Sequence, residues 1–243
     1  MANTQYSTEQ LAGRFIDQRE IQNVMGKYVF TTMICRQADV VDRFWVRQSK
    51  NPVLGLNNGW YEGLEAISGY YRAMADNIAE KTALMQKHFP KQLGGKTPEE
   101  AFGAGVMHPE PLTTPVIEVA GDGQTAKALW QVMGLDSNIT QYGPLSTWRW
   151  GWMAADFKLE GGQWKVWHLQ ILDDLVTPAG SDWTKASEYP VLEDFKSLAH
   201  QTLPEPTKPC ALYAVYSPTR PFTAPPEIPT PYHTFADTFS YGI

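Results

Sequence analysis

Residues 148–174, WRWGWMAADFKLEGGQWKVWHLQILDD, hold five of the chain's nine tryptophans beside a single histidine. Two runs of alternating side chains flank Gly161-Gly162, and a Gly-Gly pair between such runs marks a hairpin because both glycines tolerate positive φ. With a two-residue turn, Trp164, Val166, His168 and Gln170 share a face with Phe157, Ala155, Met153, Gly151 and Arg149. The opposite face carries Trp148, Trp150, Trp152, Lys165, Trp167, Leu169 and Ile171. Around His168 the small residues Ala155 and Gly151 leave room for a cavity. The other face is a slab of indole with almost no polar atoms.

Upstream of this hairpin the chain reads as helices. Ser7-Thr8-Glu9-Gln10 offers a capping box, and Leu11, Phe15, Val24, Met25, Tyr28 and Thr32 recur at helical spacing, which predicts a helix over residues 8 to about 36. Asp39 reads as the N-cap of a short helix Val40–Val46. Pro52–Leu56 is a short strand ended by Asn57-Asn58-Gly59. A second long helix runs from Leu64 to about His88, burying Ile67, Tyr70, Tyr71, Met74 and Ile78, and Pro90 stops it. Residues 91–112 form a long loop with a short helix at Pro98–Phe102, and long loops are often functional. Strands at Pro115–Ala120 and Thr125–Gly134, turning at Gly121-Asp122-Gly123, precede the two strands of the hairpin. Helices first and strands later is the α+β order, a curved antiparallel sheet with helices on one face. Residues 1–180 form that domain and residues 181–243 an extended arm. Nine of the eighteen prolines lie between Pro204 and Pro231, and interleaved aromatic residues make this arm too apolar for a free linker, so it packs on the domain or on a neighbouring subunit.

Composition narrows the function. With 243 residues and 43% apolar content the chain can bury a sizeable core. A net charge of −6 and no Lys/Arg run beyond isolated pairs leave no footprint for nucleic acid or an anionic membrane. Cys35 and Cys210 stand far apart and no CxxC or CxxH spacing occurs, which argues against zinc and against a disulfide framework. The polar N-terminus lacks an apolar signal core and no run reaches the length of a membrane helix, so a cytoplasmic location is expected. Gly103-Ala104-Gly105 lacks the third glycine and the preceding strand of a dinucleotide site, no P-loop or HExxH exists, and the five histidines are dispersed. No cofactor and no metal are expected.

A family resemblance rests on the order of several motifs. Asn57-Asn58-Gly59-Trp60-Tyr61-Glu62-Gly63 leads to Ala66-Ile67, and His108 precedes the run from Thr113-Thr114-Pro115 through Gly121-Asp122-Gly123 to Ala126. Trp150-Gly151 through Asp156-Phe157 and Trp164-Lys165-Val166-Trp167-His168 follow. In this order, over roughly residues 10–185, the chain resembles the SnoaL-like branch of the nuclear transport factor 2-like superfamily. The resemblance implies a cone-shaped α+β fold around one deep apolar pocket, in a superfamily of dehydratases, isomerases, cyclases, a lignin diarylpropane lyase and non-catalytic modules. Fold alone does not choose among them. Scytalone dehydratase-like members carry a Tyr-Asp pair near the end of the first helix where this chain has Cys35-Arg36. Ketosteroid isomerases place an Asp base on the first strand, where Asn57 and Asn58 stand. Neither mechanism transfers intact.

His168, facing the predicted cavity, is the first candidate for general acid–base work, against the alternative of a core histidine bonded to a carbonyl. The resemblance places His108 at the pocket mouth, against a solvated loop histidine. Tyr28 lies about one helical turn upstream of the position where isomerase-like members hold an oxyanion, against simple packing. Asn58, Trp60, Trp130, Arg149, Met153 and Gln170 are the expected substrate contacts, although Arg149 near a strand end also reads as a solvated arginine. Asp173 and Asp174 either orient a histidine or are solvated. The expected activity is a cofactor-independent lyase or dehydratase on a small phenolic substrate, such as a lignin-derived dimer losing formaldehyde or water. A binding or assembly module and a ketosteroid-type isomerase or polyketide cyclase are the alternatives. The indole face needs cover, so a homo-oligomer, trimer or dimer, is expected, with the arm crossing the boundary.

Overall fold

The computed structural model describes residues 6–140, 143–184 and 203–243, so residues 185–202 of the expected arm lie outside the described residues. Helix α1 (Thr8–Met33) starts on the capping box read from the sequence: the Ser7 hydroxyl accepts from the Gln10 amide, and the Gln10 side chain accepts from the Ser7 amide. Its second half buries Ile21, Met25, Tyr28 and Val29, whereas Leu11 and Phe15 stand exposed rather than continuing the buried stripe. A 3-10 turn, Gln37–Asp39, leads to α2 (Val40–Phe44). The Asp39 side chain caps no amide there and instead pairs with Arg36 and Arg43. Helix α3 (Gly63–His88) is followed by two short helices, α4 (Pro90–Leu93) and α5 (Pro98–Ala101).

Among the described residues seven strands form one sheet in the order β3-β4-β5-β6-β1-β2-β7. They are β1 (Val53–Leu56), β2 (Gly59–Glu62), β3 (Leu112–Val119), β4 (Thr125–Thr140), β5 (Gly143–Glu160), β6 (Gln163–Pro178) and β7 (Lys208–Pro209). The sheet is mixed and not wholly antiparallel, because β1 joins β6 in parallel and every other pair is antiparallel. β4 and β5 pair from Thr125↔Lys158 to Thr140↔Gly143, six residues beyond the expected end of β4 and five before the expected start of β5 at Trp148. The polar stretch Asp136-Ser137-Asn138 lies beyond the expected strand end at Gly134, and long-range pairing with β5 overrides its low strand propensity.

Helices α1 and α3 pack on one face of this sheet. Ile21, Met25 and Tyr28 of α1 and Ile67 and Tyr71 of α3 meet Ala126, Ala128, Trp130 and Val132 of β4, Met153, Ala155 and Phe157 of β5, and Trp164, Val166 and Leu169 of β6. This is the inner face. The turn at Gly161-Gly162 has positive φ at both residues, and Phe157 pairs with Val166 as the two-residue hairpin requires.

Beyond Val166 the register changes. The next pair is Asp156↔His168, so Trp167 is an extra residue in β6, a bulge. One inserted residue moves every later side chain to the other face. Leu169 and Ile171 therefore turn inward, while His168 and Gln170 turn outward, reversing the expected assignment. A second bulge separates Gly151↔Asp173 from Trp150↔Leu175 and leaves Asp174 unpaired. Gly151 is required beside it, since a Cβ there would lie 2.1 Å from the Leu172 carbonyl oxygen.

The outer face is covered in part by the chain's own C-terminal segment. Thr207 and Cys210 bond to β2 and the β1–β2 turn, Tyr213 reaches Trp152, and Tyr232 and His233 accept from the β3–β4 turn amides. Residues 235–243 then cross the ends of β4, β5 and β6, where Phe235 packs on Trp167 and Tyr241 on Leu129 and Ala154. Over Trp152 and Trp167 the cover expected from a second subunit belongs to the same chain. Trp148 and Trp150, by contrast, remain 38% and 39% exposed.

Candidate functional site

His108 and Glu110 lie two residues apart on an extended segment that prolongs β3 along β4. The Ser137 amide donates to the Met107 carbonyl at 2.8 Å and the Leu135 amide to the Pro109 carbonyl at 3.2 Å. Residues so spaced project to one side, and here that side is the inner face. Asp136 of β4, Arg149 of β5 and Asp173 of β6 come to the same end of the cone by strand alternation. They form one chain of charge: His108 Nδ1 meets Asp136, His108 Nε2 lies 3.4 Å from Glu110, and Arg149 donates through Nη1 to Glu110 and through Nε to Asp173. Asn57 fixes the far end, its side chain donating to the Asp173 carbonyl and accepting the Asp173 amide, both at 2.7 Å. The side chains of His108, Asp136, Arg149 and Asp173 are 16–20% exposed and that of Glu110 only 6%.

These neighbours set the protonation states. Burial works against charge on His108, but Glu110 and Asp136 outweigh it and raise its pKa to about 10, so the ring is an imidazolium at neutral pH. Burial likewise opposes the Glu110 carboxylate, and Arg149 and His108 overcome it, lowering its pKa to about 2. Asp173 goes the other way: burial raises its pKa and the Arg149 guanidinium offsets this only in part. Tyr28 on α1 and Tyr70 and Tyr71 on α3 face the cluster across the core. The Tyr28 and Tyr71 hydroxyls share a hydrogen bond of 2.9 Å, and burial raises all three phenols, which stay neutral donors. The site therefore offers a charged proton donor, a carboxyl of raised pKa and a set of neutral hydroxyls. Among the described residues no group of three or more His, Cys, Asp or Glu side chains is arranged to hold a metal ion, and no helix is long and apolar enough to cross a membrane.

Five of the residues chosen from the sequence meet on the inner face. His108 and Arg149 are in the charge network, Tyr28 faces it, and Met153 is buried beside Trp130, itself edge-on to Phe157. Four others do not come there. His168 is buried on the outer face, its Nδ1 2.7 Å from Asp156 and its Nε2 3.1 Å from the Asn51 carbonyl, with Trp167 stacked upon it. The Trp167 bulge puts it there, and its pairing with His108 across one pocket is lost. Gln170, displaced by the same bulge, donates to the Tyr241 carbonyl. Trp60 pairs with Gly55 and lies over it next to Leu212, and Asn58 is exposed in a turn where its carbonyl accepts from Cys210. Glu110 and Asp136 were missed. Glu110 stands two residues from a chosen histidine, which is the signal that finds it; Asp136 lies beyond the expected strand end at Gly134 and gives none.

No curated protein matches the chain. Among solved structures LinA aligns with a TM-score of 0.51 and 13% identity, covering 71% of this chain and 96% of LinA. A hexachlorocyclohexane dehydrochlorinase, LinA-type3, from Novosphingobium barchaimii LL02 gives 0.47 and 13%, covering 69% and 93%. A protein of Novosphingobium aromaticivorans DSM 12444, provisionally named a scytalone dehydratase, gives 0.49 and 12%, covering 73% and 95%. At such identities the likeness concerns the fold. The sequence profile of the SnoaL-like domain matches residues 14–170, from early α1 into the strand that completes the inner core, and the chain therefore belongs to the SnoaL-like family of the nuclear transport factor 2-like superfamily.

Proposed function

We propose that the chain is a cofactor-independent lyase that eliminates water or formaldehyde from a small phenolic alcohol, with His108 as its general acid. Structural relatives of the fold include dehydratases and dehydrochlorinases, enzymes that remove a leaving group and a proton from adjacent positions. The observation that carries the reading is the pairing of His108 with both Glu110 and Asp136 on the inner face, which keeps its proton at neutral pH and places it 3.4 Å from a carboxylate tied to Arg149. An imidazolium so held can protonate a departing hydroxyl. For water loss from a 4-hydroxybenzylic alcohol, the C–O bond breaks as the phenol expels the hydroxyl. The phenolic proton passes to a carboxylate of the network, for which Asp173 is best suited because burial raises its pKa. The products are a quinone methide and water. His108 is left neutral and Asp173 protonated, and exchange with solvent restores both. The Tyr28–Tyr71 hydroxyl pair supplies neutral donors for oxygen on the aromatic ring, and Trp130 and Met153 supply apolar surface.

The test is a panel of 4-hydroxybenzylic alcohols and phenolic dimers, incubated with the protein and followed by absorbance of the conjugated product and by formaldehyde release. Turnover should hold through neutral pH and fall as pH rises through about 10, the pKa at which His108 loses its proton. Tryptophan quenching by the panel without any product overturns the lyase reading and leaves a binding module.

A further inference from the structure

The outer face carries a second feature, separate from the inner charge network. Where the described part of the C-terminal segment leaves the sheet uncovered, a cleft of about 570 Å³ opens between Trp148, Trp150 and Trp152 of β5, Met133 of β4, Leu175 of β6, and Trp183 and Tyr216. Its size suits a small-molecule site. Its walls are mainly apolar, with four tryptophans and Tyr216 supplying ring faces, and Trp183 is 56% exposed. Only two side chains in the lining, Gln131 and Asp174, end in polar groups that are not part of an aromatic ring.

Asp174 is the bulged residue of β6, which is why it faces outward while Asp173, its neighbour, faces the inner network. Its carbonyl accepts from Tyr216, and Tyr213 lies 3.5 Å from its carboxylate while also receiving the Trp152 indole N–H at 3.1 Å. Among the described residues no Lys, Arg or His pairs with this carboxylate. A half-buried carboxylate without a cation, walled by indole faces, is an incomplete electrostatic arrangement. Burial raises the Asp174 pKa, so a positive charge brought into the cleft would be drawn to the carboxylate as well as to the negative ring faces.

The chemistry of the lining selects among cations. A primary ammonium has three N–H donors and a guanidinium five, and one carboxylate with one amide cannot satisfy them inside an aromatic cleft. A hard metal ion requires several oxygens. An anion is repelled by Asp174, and a neutral aromatic compound makes no use of it. A quaternary ammonium group has no donors, sheds its hydration readily, and is held by ring faces and one negative charge. We propose that this cleft is a binding site for an organic quaternary ammonium ligand, with Trp148, Trp150, Trp183 and Tyr216 as the aromatic walls and Asp174 as the counter-charge.

The test compares choline and benzyltrimethylammonium with 3,3-dimethylbutan-1-ol, the uncharged isostere of choline, by tryptophan fluorescence and isothermal titration calorimetry on the full chain. The cations should bind at least roughly tenfold more tightly than the neutral isostere, as a desolvated cation–π site with a counter-ion requires. Asp174→Asn should cut that preference by several-fold, leaving the part that the ring faces supply. Trp183→Ala, a change at an exposed position, should weaken both cations by several-fold without altering the melting temperature. Equal binding of choline and its isostere, or a preference undiminished by Asp174→Asn, overturns the proposal. So does sedimentation showing a dimer that Trp150→Glu dissociates, since the cleft would then be covered by a second copy.

Discussion

Asp156 is the place where a single substitution should release the C-terminal segment. Its carboxylate is fully buried on the outer face and accepts from Lys127 Nζ at 2.7 Å, from His168 at 2.7 Å, from the Tyr241 amide at 2.8 Å and from the Ser240 hydroxyl at 3.1 Å. Lys127 is itself fully buried, with its ammonium over the rings of Phe235 and Phe239 at 4.5 and 4.4 Å. Asp156→Leu removes the negative charge and leaves that ammonium unpaired inside an apolar box. Breaking a buried pair this way costs about 3–5 kcal/mol. With an unfolding entropy of about 2.1 cal/mol/K per residue, a chain of this length should melt about 6–10 °C lower. Hydrogen exchange read by mass spectrometry on residues 232–243 should rise at the same time, because the Tyr241 amide has lost its acceptor. The double substitution Lys127→Met with Asp156→Leu should recover more than half of the loss, since an apolar pair of similar volume carries no unpaired charge. A single variant that melts within about 1 °C of the parent, as surface changes do, with residues 232–243 still protected, would refute the reasoning.

Two further outcomes concern His108 on the inner face and Gly242 on the outer one. The folded His108 pKa of about 10 lies above its unfolded value, so its contribution to stability is complete below about 6.5 and is lost as pH rises through about 10; urea melts at stepped pH should show His108→Asn closing on the parent across that window. Gly242 packs so closely on His168 that a Cβ would sit 2.8 Å from the ring, and Gly242→Ala should raise exchange at residues 239–243 by several-fold while leaving the inner-face residues as protected as before.

Much of the fold was legible because the signals were local. The capping box at Ser7, the proline after α3 and the Gly-Gly turn each act within a few residues, and the register they imply holds from Glu160↔Gln163 to Phe157↔Val166. What failed was the continuation of that register. A bulge at Trp167 has no local mark, since a tryptophan between a valine and a histidine reads as one more alternating position. Its cause lies in tertiary contacts: Trp167 is clamped by Lys158, Phe235 and the Lys50 carbonyl, and His168 by Asp156. The consequence was large, because one unseen residue exchanged His168 for Leu169 on the inner face. The site suffered for a related reason. Arg149 read as a solvated strand end because β4, β5 and β6 were each cut short, and with full-length strands it is instead enclosed by Glu110 and Asp173. His108 was recoverable from its motif, while Asp136 depended on pairing that propensity does not disclose.

The most direct measurement sets the two histidines against each other. His108→Asn and His168→Asn are to be compared for turnover of whichever panel compound the parent protein consumes, together with their melting temperatures. The inner-face assignment predicts that His108→Asn lowers turnover by about 100-fold or more, as loss of a general acid does. It also predicts that His168→Asn, which leaves Asp156 with Lys127, Ser240 and the Tyr241 amide, keeps turnover near the parent's and shows its effect in melting temperature. Full turnover in His108→Asn with its loss in His168→Asn would contradict the account and move the chemistry to the outer face.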